Sequence, residues 1–170
     1  MKKISKHSLA YYYFKLVKQS GNPEYIARGV SLGFFVGLLI PFGAQIIVVL
    51  PLAILFKAAK IPAVACTFVT NHVTIFFIYP FQCWVGSYLI ARPLTMKAVE
   101  HMFKEVLEQK TLSSLFALGK EVVISFFAGG FLFGLLLAVP GYVISLYLVK
   151  AYRRRKEEKK KRKYGTAKSG

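Results

Sequence analysis

Residues 29–56 read GVSLGFFVGLLIPFGAQIIVVLPLAILF, 28 positions without a charged side chain, a length that suffices to cross a bilayer once. The stretch does not read as one plain span. Gly29, Gly33 and Gly37 recur every four residues, so they share one helix face where a second backbone can come close. Pro41-Phe42-Gly43-Ala44-Gln45 then interrupts the run, because proline removes a backbone donor and glycine loosens the chain. The segment is expected to divide into two arms around a turn that carries Gln45. An arm of about 12 residues rises only about 18 Å against a hydrocarbon core of about 30 Å, which predicts a hairpin dipping into the membrane. Counted from Pro23, the first arm reaches about 27 Å and is nearly a full span. Irregular backbone at such a tip survives only under protein or beside a wet cavity, so the tip is the candidate for a site.

Composition supports a membrane assignment. The chain has 170 residues, 55% of them hydrophobic and 15% aromatic, with 24 basic and 7 acidic side chains for a formal charge of +17. Its length suits one unit, and its hydropathy lies outside the usual soluble range. All the acids are Glu. Two cysteines, Cys66 and Cys83, sit in apolar sequence with no metal-ligand spacing, and are expected to be packed or lipid-facing thiols. The first 28 residues lack the apolar centre of a cleavable signal, so the mature chain is expected to begin at Met1. No nucleophile pairing, metal cluster or phosphate loop appears, so neither an enzymatic activity nor a cofactor is expected.

Outward from the opening stretch, residues 1–22 form a basic, tyrosine-rich arm, expected to lie on the cytoplasmic membrane surface. Asn22, Pro23 and Glu24 read as a helix cap, a first-turn proline and an acid at the positive dipole end. Glu24 and Arg28 are four apart and are expected to pair. Arg28, near headgroup level, is also a candidate for meeting an anionic group through its planar fork. A second apolar stretch, 61–91, carries Asn71 and His72 mid-way, groups that must face protein or water. Asn71 suits the cap of a half-helix, and Trp84 with Tyr88 suits an interfacial girdle. Residues 94–110 read as an amphipathic interfacial helix. The last apolar stretch, 122–149, echoes the first: GFFVGLLIPFG at 33–43 resembles GFLFGLLLAVPG at 130–141. A second break at Pro140 and Gly141 is therefore expected. Interrupted segments at matching places in two halves mark transporter-type folds.

The tail, 150–170, contains 11 of the basic residues against Glu157 and Glu158, and is expected to be disordered. Basic flanks stay cytoplasmic, which puts both termini inside and implies an even number of crossings of the bacterial inner membrane. Anionic phospholipid is the expected partner of such a tail, at about 1 kcal/mol per basic residue; nucleic acid is the less expected one.

Pro23, Ile26, Ala27, Gly29, Gly33, Gly37, Pro41, Gly43 and Gln45, followed by Asn71, Thr74 and Pro80, resemble the bacterial membrane-protein family known as domain of unknown function two-zero-six-two. The resemblance runs from Pro23 to Gly86 and more loosely to Arg155. The family usually has Asn-Pro where this chain has Asn71-His72. The resemblance carries no chemistry. It implies a link to lipid-carrier metabolism, since relatives are sometimes fused to glycosyltransferases that handle polyprenyl-phosphate sugars. The architecture is also similar, at fold level, to DedA-type membrane proteins.

Together these readings set an expectation of an all-α, polytopic membrane protein with interrupted or re-entrant helices and an internal, inverted repeat. It would bind an anionic, polyprenyl-phosphate-like lipid or a small solute, with translocation as the further step. Arg28, Gln45, Asn71 and His72 would contact the substrate, and Pro41, Gly43, Pro140 and Gly141 would shape the backbone. The alternative is a non-transporting scaffold, a homo-oligomer or a partner subunit for a membrane enzyme such as a lipid-linked glycosyltransferase.

Overall fold

The computed structural model describes residues 21–95, 97, 99 and 120–166. Every regular element among them is a helix: α1 (Pro23–Leu39), α2 (Gln45–Leu55), α3 (Lys60–Thr67), α4 (Ile75–Leu89) and α5 (Lys120–Thr166). The arm at 1–20 and most of the expected helix at 94–110 lie outside the described residues.

α1 starts where the sequence marks it. Asn22 has extended backbone and Pro23 opens the first turn, although the Asn22 side chain makes no capping bond. The helix ends because Pro41 follows: a residue before proline is pushed to extended backbone, and Ile40 has φ −99° and ψ 134°. Gly43, at φ +100°, then takes a left-handed conformation that side-chain-bearing residues avoid. The chain turns back as α2, whose end reaches the second turn of α1, where Arg28 Nη1 lies 3.3 Å from the Phe56 carbonyl. A short link leads into α3, and the Ala59 N–H donates to Tyr25 O at 2.9 Å.

α3 runs parallel to α1 and in register with it. Cβ atoms added at Gly29, Gly33 and Gly37 would meet Ala59, Ala63 and Thr67 at 2.4, 2.3 and 2.9 Å, so the glycine face is filled by another backbone as its spacing predicts. After the 70–74 turn, α4 carries the chain to the opposite end of the molecule, where Arg92 pairs with Glu121.

α5 closes the structure and runs antiparallel to α1 and α4. Its middle packs on α1, from Leu38 at Gly130 to Ile26 beside Val149, and its first turns pack on α4. Gly86 and Gly129 allow this second contact: a Cβ at Gly86 would lie 1.8 Å from Ser125 O. A buried cluster of Ile75, Tyr79, Cys83, Val99, Val122 and Phe126 fills the α4–α5 end. Val36, Val49, Ala53, Ala58 and Ala63 fill the space between α1, α2 and α3. Both cysteines are free, Cys83 buried and Cys66 half-buried.

Three expectations are corrected. The 47-residue α5 runs without a break through Pro140 and Gly141, so these residues shape no turn, and a Cβ at Gly141 would instead meet the Phe34 ring at 2.7 Å. The resemblance of 33–43 to 130–141 is thus one of composition: in the first copy the proline precedes a positive-φ glycine, and in the second neighbouring helices hold it in line. The basic tail is helical to Thr166. Its lysines, arginines and glutamates are good helix formers, and Arg154 bonds Glu158 one turn on at 3.1 Å. Glu24 pairs with Lys150 at 3.0 Å, not with Arg28.

A different correspondence is present, 30 residues apart. The turns at 40–44 and 70–74 occupy matching places, although Gly43 has a positive φ and Val73 does not, and each precedes a helix with an internal proline, Pro51 or Pro80. Gln45 and Val49 are buried as Ile75 and Tyr79 are, while Ile46 and Ile47 are exposed as Phe76 and Phe77 are.

Among the described residues one helical stretch, Lys120–Glu158, is long and apolar enough to cross a membrane; Gln45–Leu55 and Ile75–Leu89 are apolar but shorter. The outer surface is apolar as well. Ile47 is 76% exposed, Phe77 76% and Tyr147 73%, on three different helices, an extent of apolar surface that monomeric soluble proteins seldom show.

Gly86→Ala is expected to destabilise the fold by about 2–3 kcal/mol through overpacking against α5. Pro140→Ala should leave helicity and stability undiminished, since alanine favours a helix interior. Thermal unfolding and circular dichroism of both variants in detergent check this, and a loss of helix in Pro140→Ala would contradict the continuous α5.

Candidate functional site

Where α1 ends, its last carbonyls are left without helical partners, and buried side chains take up three at this end, those of Gly37, Leu38 and Ile40. Gln45, 4% exposed, donates its amide Nε2 to Gly37 O at 2.8 Å and to Ile40 O at 3.0 Å. The same nitrogen lies 2.7 Å from Thr70 Oγ1, which itself donates to Gly37 O at 2.7 Å. Gln82, fully buried, donates to Leu38 O at 3.1 Å and to Phe126 O of α5 at 2.9 Å. On the far side of the break, the Phe42 N–H donates to the Tyr79 hydroxyl at 2.7 Å. The first turn is thus closed by residues of α2, α4 and the 70–74 turn together.

The second turn closes on itself. Asn71 Oδ1 accepts from Val73 N–H at 2.9 Å and Thr74 N–H at 3.1 Å, while Thr74 Oγ1 accepts from Asn71 N–H at 2.8 Å and donates to Val69 O at 2.9 Å. This reciprocal arrangement is a capping box. Asn71 therefore closes the turn that leads into α4, whose first helical residue is Ile75. His72 is exposed beside it, its ring edge-on to Phe42 with centroids 4.8 Å apart, so the two tips touch at residues 30 apart.

The expected substrate-contacting residues accordingly separate. Gln45, Asn71 and His72 are brought together with Pro41 and Gly43 at the tips. Arg28 lies at the other end of α1, about 18 Å along the helix axis. Pro140 and Gly141 belong to neither place. Thr70, Tyr79 and Gln82 complete the tip network and were not singled out as site residues. Gln82 carried a signal in retrospect, an amide within the apolar 75–89 run that must find partners, whereas Thr70 and Tyr79 look like ordinary helix and belt residues until the turns meet.

One polar atom stays out of the network: among the described residues, Gln82 Oε1 is buried without a hydrogen-bond partner. The interior lane from Thr67 through Thr70, Gln45 and Tyr79 to Gln82 is hydrogen-bonding and uncharged at neutral pH. It offers no acid–base pair, and no cluster of three metal-binding side chains occurs among the described residues.

The end that holds Arg28 is basic. Arg28, Lys57 and Lys60 are exposed there, as are Lys150 and Arg154 on α5. Arg153 donates to Gly21 O, tying the start of α1 to α5. A hydrogen bond from its own backbone N–H, then Lys150, holds the Glu24 carboxyl below its usual range.

The chain belongs to the family described as Uncharacterized protein conserved in bacteria (DUF2062), whose model matches residues 6–158. No curated protein and no solved structure matches it.

Two outcomes follow from this geometry. Gln45→Leu leaves the Gly37 and Ile40 carbonyls short of donors, at an expected cost of about 1–3 kcal/mol, whereas Asn71→Ala loses a cap worth about 1 kcal/mol. Unfolding in detergent should therefore rank Gln45→Leu as the more damaging, and equal midpoints would remove the latch role of Gln45. The lowered pKa of Glu24 means that its charged form is favoured by folding. The stability difference between wild type and Glu24→Gln should hold at neutral pH and disappear as pH falls below about 4.5, through the lowered folded value.

Proposed function

We propose that this member of the DUF2062 family is a multi-pass protein of the bacterial cytoplasmic membrane. It binds an anionic amphiphile of the polyprenyl-phosphate type, or a small solute, and moves it between the leaflets. The observation that carries the reading is an uncharged polar lane at the two turns, enclosed by helices whose outer faces are apolar. Irregular backbone of this kind is tolerated at membrane depth only where protein covers it, and here buried side chains bond the Gly37, Leu38 and Ile40 carbonyls of the first break.

The chain path supports a topology. α1 leaves the basic end and α2 returns to it, which suits a re-entrant hairpin; α3 and α4 together make a broken crossing, and α5 crosses back. Gly21 and Arg153 are then on one side, consistent with both termini being cytoplasmic under the positive-inside rule. Arg28 and the other cations of this end would hold the anionic group at headgroup level, and Gln82 Oε1 offers an acceptor within the lane.

A second reading is favoured by one observation. Gln45 and Asn71 spend their polar atoms on the chain's own backbone, which suits a scaffold holding a partner enzyme through its apolar faces.

Flux of a fluorescent polyprenyl phosphate across proteoliposomes decides between the two. Transport by wild type and its loss in Gln82→Leu, with insertion retained, supports the first reading. No flux from the isolated protein, together with stoichiometric co-purification of a membrane enzyme, supports the second.

A further inference from the structure

We infer that the corner where α1, α2 and α3 meet is a binding site for the phosphate of an anionic phospholipid, formed by Arg28, Lys57 and Lys60. The inference rests on the membrane placement proposed above, and names a site that the hairpin tips do not contain. The cations come from two places in the chain, Arg28 from α1 and the two lysines from the link between α2 and α3, and the fold brings them together. Gly29 seats its backbone on Ala59, the Ala59 N–H bonds Tyr25 O at 2.9 Å, and Arg28 Nη1 rests 3.3 Å from Phe56 O. Lys57 and Lys60 flank these contacts in sequence, and all three side chains are exposed.

The carboxylate nearest in sequence does not compete. Glu24 is bonded by Lys150 at 3.0 Å and acts on Arg28 only through space, so the corner keeps a net positive charge. One Arg28 nitrogen bonds the Phe56 carbonyl at 3.3 Å, which leaves the rest of its planar fork of donors free to meet a phosphate. Lys57 has φ +48°, a conformation more usual for glycine at the end of a helix, and a lysine occupies it at the point where α2 stops.

The apolar side of the site is continuous with the corner. Leu50, Ile54, Leu55, Phe56 and Ile61 are exposed from the middle of α2 to the first turn of α3, Leu55 by 73% and Ile54 by 61%. A ligand with a phosphate at one end and an acyl chain beside it meets both features, whereas a soluble phosphate meets only the first. Charge complementarity together with this apolar strip commits the site to a phospholipid.

The test uses the full chain in neutral detergent, with phosphatidylglycerol binding followed by native mass spectrometry and phosphatidylcholine as the uncharged comparison. Replacing Arg28, Lys57 and Lys60 together by Gln should weaken phosphatidylglycerol binding about tenfold or more. The triple variant Arg155→Gln, Lys156→Gln, Lys161→Gln removes the same charge from the extension of α5 and should change it less than about twofold. Equal losses in the two triples would show a diffuse basic field and overturn the site. Displacement of the lipid by an equimolar amount of inorganic phosphate would overturn the lipid assignment. Should Arg28→Gln release α2 and unfold the protein, the double Lys57→Gln, Lys60→Gln, which breaks no observed side-chain bond, takes its place against a double in the extension. Normal lipid binding at the corner without flux in proteoliposomes would reject transport and keep this site; flux that survives loss of the corner would do the reverse.

Discussion

The structure depends on a helix that stops inside apolar surroundings. Pro41 ends α1 among side chains that offer its last carbonyls no water, and a buried carbonyl left bare costs about as much as a lost hydrogen bond. The rest of the fold answers that demand. α2 returns so that Gln45 reaches Gly37 and Ile40; the second turn comes alongside so that Thr70 reaches the same carbonyl; α4 passes close enough for Gln82 to join Leu38 to Phe126 of α5. Each of these contacts fixes where an element sits relative to α1. The apolar clusters between them fill the space but do not select the arrangement.

Much of this was legible in the residues themselves. The glycine spacing at 29, 33 and 37 announced a close backbone contact, the proline before Gly43 announced the break, and Asn71 announced bonds to nearby backbone N–H groups, because each acts through local backbone chemistry. What misled was similarity of composition. GFLFGLLLAVPG looks like GFFVGLLIPFG, but a proline in a long apolar helix is compatible with either a kink or straight continuation, and only tertiary packing selects between them. The charged tail likewise has no apolar face to suggest order, yet it continues a helix already nucleated and held by α1, so the cost of starting one is not incurred again. Tyr79 was hard to single out for the opposite reason: Phe42 lies 37 residues away and nothing local points to it, whereas Gln82 announced the need for a partner but not which one.

The two turns solve one problem by different means. Asn71 and Thr74 satisfy the second turn from within four residues, whereas Pro41, standing 30 positions earlier in the place of Asn71, has no side-chain acceptor to give. The first turn therefore borrows its closing groups from elsewhere, Tyr79 for the Phe42 N–H and Thr70 for Gly37. It is consequently the turn whose geometry depends on the packing of α4, and the second turn is the one that can be formed before α4 is in place.

The unbroken course of α5 has a mechanical consequence. Its basic portion beyond Lys150 adds about 16 residues, or about 24 Å, to a rod whose other half is wedged between α1 and α4. Rotating that rod by about 10° about its junction with α1 would swing the far tip by about 4 Å, whereas a flexible tether would dissipate the same movement within a few bonds. Any small readjustment of the apolar half is therefore delivered, enlarged and in a defined direction, to the charged tip.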